Sequence, residues 1–180
     1  MRSKSNSSAV KAAASARRSV DATAKRRSDV FDDRGRSVPW IARTVHRLYD
    51  AQGQKVLDRQ NLPIAHWYYL RVLGERGEIN QLELSKRVGT ASTTAVPALD
   101  YLEKRGLVKR VRDPNDRRKY FVLLQEQGKR LLDEMLPELT DLMSASLDGI
   151  SQNNMRAFWK VMHQIETNLI ERAQDQAVID

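Results

Sequence analysis

The sequence contains no cysteine. That removes disulfides, thiolate metal sites and cysteine nucleophiles together, and it suits a reducing compartment. The three histidines, His46, His66 and His163, fall in no metal-ligand spacing. Glycine is scarce at eight residues, and no GxGxxG or GxxxxGKS/T run is present to cradle a phosphate. Apolar runs stay short of the ~18 residues that a membrane span requires, so none is expected. With neither a metal nor a cofactor called for, the chain reads as a binder and not as an enzyme.

What is present is charge, unevenly spread. A formal net charge of +8 hides two basic blocks. Residues 1–36 carry ten Lys/Arg against four Asp/Glu, and residues 86–119 carry the same numbers. The remainder of the chain is acidic. Two such blocks read as a footprint for a polyanion, because each neutralised phosphate releases counterions. The bland alternative is a merely solvated face of lysines and arginines.

Residues 1–36 are rich in Ser, Ala, Arg and Lys. They offer too little apolar surface to offset chain entropy, so a disordered basic arm is expected. Such a start also resembles an organellar transit peptide, but nothing downstream looks organellar. From Val38 the pattern is helical: Ile41, Val45, Leu48, Gln52 and Val56 recur at three- and four-residue spacing, with Pro39 acceptable in a first turn. Asn61-Leu62-Pro63 breaks and restarts the chain. A second helix carries Trp67, Leu70 and Leu73 on one face and stops near Gly74 or Gly77. The third opens on Asn80, with Glu83 three residues on in a capping-box arrangement, and ends at Gly89. In a fourth helix, Thr90–Arg105, Ala95, Leu99 and Leu102 fall within about 60° of one another. Thr93, Pro97, Tyr101 and Lys104 lie opposite, and Gly106 ends the helix. Leu107–Val111 and Tyr120–Leu124 read as two short strands joined by a charged tip, Arg112 to Lys119. Two long helices close the chain. The first carries Leu131, Met135 and Leu139 on its stripe and a Pro137 that should kink it. The second, capped by Ser151, carries Phe158, Trp159, Met162 and Leu169.

Three short helices followed by a charged hairpin are the plan of a winged helix-turn-helix. A helix fits the major groove of B-DNA and reads base edges with its polar face. Arginines at a hairpin tip reach the flanking backbone or a narrow minor groove. The expected fold is therefore mainly α with a small β-hairpin wing. It comprises an arm at 1–36, a dimerisation helix at 37–60, a DNA-binding lobe at 61–124 and C-terminal dimerisation helices at 125–175. Helices this apolar beside so small a lobe need a partner to bury them, so a homodimer is expected.

Four stretches carry a family resemblance. His66-Trp67-Tyr68-Tyr69-Leu70-Arg71-Val72-Leu73 resembles the second helix of MarR-type transcriptional regulators, and Gln81 through Gly89 resembles their third. Ser92-Thr93-Thr94 through Leu107-Val108 is similar to the recognition helix and its exit. Asp113-Pro114-Asn115-Asp116-Arg117-Arg118, with Leu124 beyond, is similar to the family's wing signature. The resemblance is close over about 62–132 and general in the flanking helices. It implies an interlocked homodimer on a palindromic operator in double-stranded DNA. It also implies repression of a nearby operon, relieved by a small aromatic acid or a related anion such as its coenzyme A thioester. Ser92, Thr93, Thr94, Pro97, Tyr101 and Lys104 would contact DNA from the helix. Arg117 and Arg118 would do so from the wing, with Asp116 orienting one of them. Two positions depart from the pattern. Pro97 stands where the family commonly places a basic or small polar residue, and should kink the helix or delay its start to about Thr94. Gln125 replaces the threonine that usually opens the next helix, weakening a cap.

The effector site of the family lies between the dimer helices and the winged lobe. That implies Trp40, Arg43, His46, Arg47, His66, Trp67 and Arg71 as its lining, since cations beside aromatics suit a carboxylate on an aromatic ring. The blander alternatives are a core position for Trp67 and dimer salt bridges for Arg43 and Arg47. Sensing of oxidants through a thiolate is excluded for want of cysteine, which leaves reversible ligand binding. The implied setting is the bacterial cytoplasm, at the nucleoid. A second class of function stays open: an architectural protein coating DNA without operator or effector, which the basic arm and Pro97 favour. An enzyme with an accessory winged helix would need a second domain, and no residues remain for one.

Overall fold

The computed structural model describes residues 30–31, 34–116 and 118–177. The expected disorder of the arm falls almost wholly outside the described residues, and so does Arg117. The chain divides into two compact units at Ile64–Ala65.

In the first unit, helix α1 (Val38–Leu57) takes Pro39 into its opening turn, where a missing N–H leaves no bond unmade. Gly53 and Leu57 are its buried residues, whereas Val45 and Leu48 of the expected stripe are exposed. A 3-10 turn at Asp58–Gln60 leads to Asn61, whose left-handed φ of 49° is one that asparagine tolerates. Gln54 closes this corner. Its amide donates to the Asp58 carboxylate (2.8 Å) and the Leu62 carbonyl (3.2 Å), and its oxygen accepts from the Ile64 N–H (2.7 Å). The Asn61-Leu62-Pro63 break is thus a hydrogen-bonded corner with Leu62 fully buried.

The second unit takes up α2 (Ile64–Arg76), β1 (Ile79–Asn80), α3 (Gln81–Val88), α4 (Ser92–Lys104), β2 (Val108–Arg112), β3 (Tyr120–Leu124), α5 (Glu126–Ala145) and α6 (Gln152–Ala177). Strand β1 is absent from the sequence reading, because two residues carry no period. It pairs antiparallel with β3, Ile79 opposite Val122, giving a described sheet in the order β1-β3-β2. Strand β2 begins at Val108 and not Leu107. The Leu107 N–H bonds back to the Leu102 carbonyl (3.0 Å), closing the helix end, so the ladder starts one residue later with Val108 opposite Leu124. Asn80 caps α3 by accepting from the Leu82 N–H (2.9 Å). Glu83, however, turns to Arg87 (2.8 Å), so the expected capping box is half formed. Helix α4 begins at Ser92 and runs through Pro97, without the expected delay to Thr94. Helix α5 likewise runs on through Pro137, and Gln125 before it makes no side-chain cap. Ser151 accepts from the Asn154 N–H (3.2 Å) at the start of α6.

Leu70, Leu73, Leu84, Leu99, Leu102, Leu107 and Val122 are buried at the centre of this unit. Each fully buried leucine contributes ~1.5–3 kcal/mol. Two glycines fix the corner where α4 meets the sheet. Gly106 adopts a φ of 67°, the left-handed conformation that ends a helix cheaply. At Gly128 a Cβ would collide with the Leu107 carbonyl, so α5 can approach the corner only at a glycine. Helix α6 buries none of its described residues, and Phe158, Trp159 and Leu169 are exposed. No described helix is long and apolar enough to cross a membrane.

Candidate nucleic-acid interface

Helix α4 has two faces. Ala95, Ala98, Leu99 and Leu102 are buried, and Ser92, Thr93, Thr94, Val96, Pro97 and Lys104 are exposed. Of the six helical residues expected to contact DNA, five therefore lie on the open side. The sixth, Tyr101, is half-buried. Its ring lies 4.5 Å from that of His66 on α2, and its hydroxyl accepts from Arg105 (3.0 Å). One turn beyond Pro97, it sits at the border of the buried stripe and fills the seam between α2 and α4. Beside it, His66 Nδ1 is buried without a hydrogen-bond partner. Burial, and secondarily the charge of Arg105, hold the His66 pKa below its ordinary 6.5.

A second tie holds α4 to the wing. Arg110 on β2 donates from Nε to Glu103 Oε2 (2.9 Å) and from Nη2 to both Glu103 Oε2 (2.7 Å) and Asp100 Oδ1 (2.5 Å). Its backbone N–H adds a bond to Glu103 Oε1 (2.9 Å). Burial raises the Glu103 pKa, but the Arg110 hydrogen bonds and charge outweigh it and hold the carboxyl below its usual range. A third tie runs from Tyr69 on α2 to Thr90 Oγ1 in the α3–α4 turn (2.8 Å). Helix α4 is thus tied just before its start and along its C-terminal half. Neither Arg110 nor Val96 was singled out from the sequence. A carboxylate in the last turn of a helix and an arginine on the next strand, across a glycine turn, was the available signal for the first.

The wing tip is ordered by its own aspartates. Asp113 Oδ1 accepts from the N–H groups of Asn115 (2.8 Å) and Asp116 (3.3 Å), an Asx turn. Asp116 accepts from the backbone N–H (3.1 Å) and Nε (3.3 Å) of Arg118 through Oδ1, and from Lys119 through Oδ2 (3.3 Å). The backbone bond from Arg118 leads the effects that lower the Asp116 pKa. The Arg118 side chain is 92% exposed even while touching Asp116. At the base of the hairpin, Arg112 lies over the Tyr120 ring, 5.6 Å from its centroid, and donates to its hydroxyl (3.1 Å).

The residues expected around an effector are divided. Trp40, Arg43, His46 and Arg47 are exposed on α1 in the first unit. Arg36 lies over the Trp40 ring at 5.6 Å, and His46 pairs with Asp50 (3.2 Å). In the second unit Trp67 is buried at 4% exposure, Arg71 pairs with Glu75 (3.1 Å), and His66 faces Tyr101. His66, Trp67 and Arg71 are therefore engaged in three different environments along α2.

Comparison with known proteins places this arrangement. Residues 62–120 match the family model described as the MarR family. Among solved structures, a MarR family transcriptional regulator from Silicibacter pomeroyi is 21% identical, with a TM-score of 0.67 over 74% of this chain and 90% of that one. Bordetella bronchiseptica BpsR, whose DNA binding is regulated by 6-hydroxynicotinic acid, is 22% identical, with a TM-score of 0.65 over 72% of this chain and 98% of its own. The transcriptional repressor CouR, bound to a 23-mer DNA duplex, is also 22% identical, with a TM-score of 0.63 over 72% and 92%. Residues 62–120 are therefore similar to the MarR-family domain, and the fold is the one that these solved regulators share.

Proposed function

We propose that the chain is a sequence-specific DNA-binding repressor that acts as a homodimer on a palindromic operator. Helix α4 enters the major groove through Ser92, Thr93, Thr94, Pro97 and Lys104, and the wing reaches the flanking backbone through Arg117 and Arg118. Tyr101, set in the seam with α2, acts at the edge of that surface. One observation carries the reading: an exposed polar helix face, tied by Arg110 to a hairpin whose Arg118 stands 92% exposed at the tip. Phosphate contacts of this kind position the helix, and base contacts then specify the site. The exposed apolar side chains of α6 supply surface for a second copy.

Release of the operator follows binding of a small anionic aromatic compound, an aromatic acid or its thioester. The regulation of BpsR by 6-hydroxynicotinic acid supports this. The test is footprinting with the full chain on DNA upstream of its own gene, then repeated with a panel of aromatic acids and thioesters. A protected palindrome favoured over random DNA by ~10³ or more supports a regulator. Equal affinity for random DNA supports an architectural protein instead. Protection that survives every anion of the panel removes the proposed effector class.

A further inference from the structure

We propose that Val96 and Pro97 form an apolar reader of thymine methyl groups, so that α4 selects thymine at the base steps under its N-terminal half. This deepens the reading of α4 as the groove helix and rests on it.

Val96 is 41% exposed, while Ala95, Ala98, Leu99 and Leu102 of the same helix are buried. Its methyl groups therefore add little to the core, and valine is a poorer helix former than alanine on an open surface. Pro97 beside it is also exposed and gives no N–H to the carbonyl of Thr93. A lone exposed apolar residue is ordinary. Here two adjacent ones, neither explained by core packing nor by helix propensity, occupy the half of the helix that reaches base edges in helix-turn-helix proteins.

The neighbouring chemistry narrows the target. From Ser92 to Pro97 the other exposed side chains are the hydroxyls of Ser92, Thr93 and Thr94. No Arg, Lys, Asn or Gln stands in that half, so the bidentate readers of guanine and adenine are missing there. Lys104 lies in the last turn. The Asp100 carboxylate, a possible acceptor for cytosine, is held by Arg110 at 2.5 Å. The apolar feature that a base pair shows in the major groove is the C5 methyl of thymine. Against a guanine or cytosine edge, Val96 and Pro97 would strip water from polar atoms and return no hydrogen bond.

The experiment begins with duplexes recovered from a randomised pool by the full wild-type chain. Each thymine of the tightest duplex is then replaced in turn by deoxyuridine, which deletes the methyl alone. Wild-type affinity should fall about fourfold at one or two thymines per half-site, the worth of one buried methyl group. Val96→Ala should bind the thymine duplex more weakly and ignore the swap at those positions. Alanine at an exposed helical site leaves folding intact, which thermal denaturation checks. Wild-type affinity unchanged at every replaced thymine overturns the proposal while leaving α4 as the groove helix. Full discrimination retained by Val96→Ala overturns it too, by assigning the methyl to another residue. A pool in which no duplex is enriched overturns the sequence-specific reading itself.

Discussion

Arg110 and Glu103, seven residues apart, meet across the Gly106 corner through three hydrogen bonds from one strand residue to one helix carboxylate. The pair ties the base of the hairpin to the last turns of α4, so that a shift of one is transmitted to the other.

Arg110→Ala should therefore lower both stability and DNA affinity. It leaves a half-buried Glu103 with the residue-110 backbone N–H but without the guanidinium donors, a loss of about 1–3 kcal/mol. Arg110→Lys should recover little, because an ammonium cannot span Glu103 and Asp100 as the guanidinium fork does. Urea denaturation and operator titration of both variants check this. An Arg110→Ala protein of unchanged midpoint and affinity would show that the clamp holds nothing.

Acid should destabilise the fold in two windows. The folded His66 pKa lies below 6.5, so the unfolded chain binds more protons in the interval between the two values. Its contribution is complete above pH 6.5 and is lost as pH falls through the folded value. Glu103, also depressed, contributes fully above its ordinary 4.5 and loses that contribution as pH falls further. Denaturation midpoints of the wild type and His66→Phe between pH 7.5 and pH 5, a range chosen about 6.5, test the first window. The variant keeps a ring against Tyr101 and should flatten the slope there.

Arg118→Ala should flatten the salt dependence of operator binding. Each lost phosphate contact changes the log–log slope by about 1, or about 2 for a dimer engaging both lobes. Asp116→Ala keeps Arg118 and Lys119 and removes the carboxylate that pairs with them, so it should leave the slope at least as steep as in the wild type. Fluorescence anisotropy across a salt series measures both. Identical slopes for wild type and Arg118→Ala would place the wing away from the backbone.

Replacing Trp159, 53% exposed on α6, by glutamate should yield monomers, because a charge then faces surface that a second copy would cover. Light scattering reads the mass, and circular dichroism confirms that the helices persist. A folded Trp159→Glu protein that stays dimeric would move the interface elsewhere.

Much of this molecule follows from local pattern. The period of Ala95, Leu99 and Leu102 marks the buried face of α4, and Gly89 and Gly106 mark helix ends because a left-handed terminus wants glycine. Asp113 and Asp116 declare a turn for the same local reason, an aspartate bonding to backbone N–H groups two and three residues on. Features set by contacts distant in sequence were not readable in this way. Strand β1 exists because β3 offers it an edge at Ile79–Val122, not because two residues prefer to be extended. Glu83 chose Arg87 over its capping role, a competition between two sound local options. By helical angle and by resemblance Tyr101 belongs to the face of α4 opposite Ala95 and Leu99. Its ring also packs against His66, 35 residues earlier in the chain, a contact no local pattern shows, since a border position on a helix is decided by whichever neighbour the fold brings beside it.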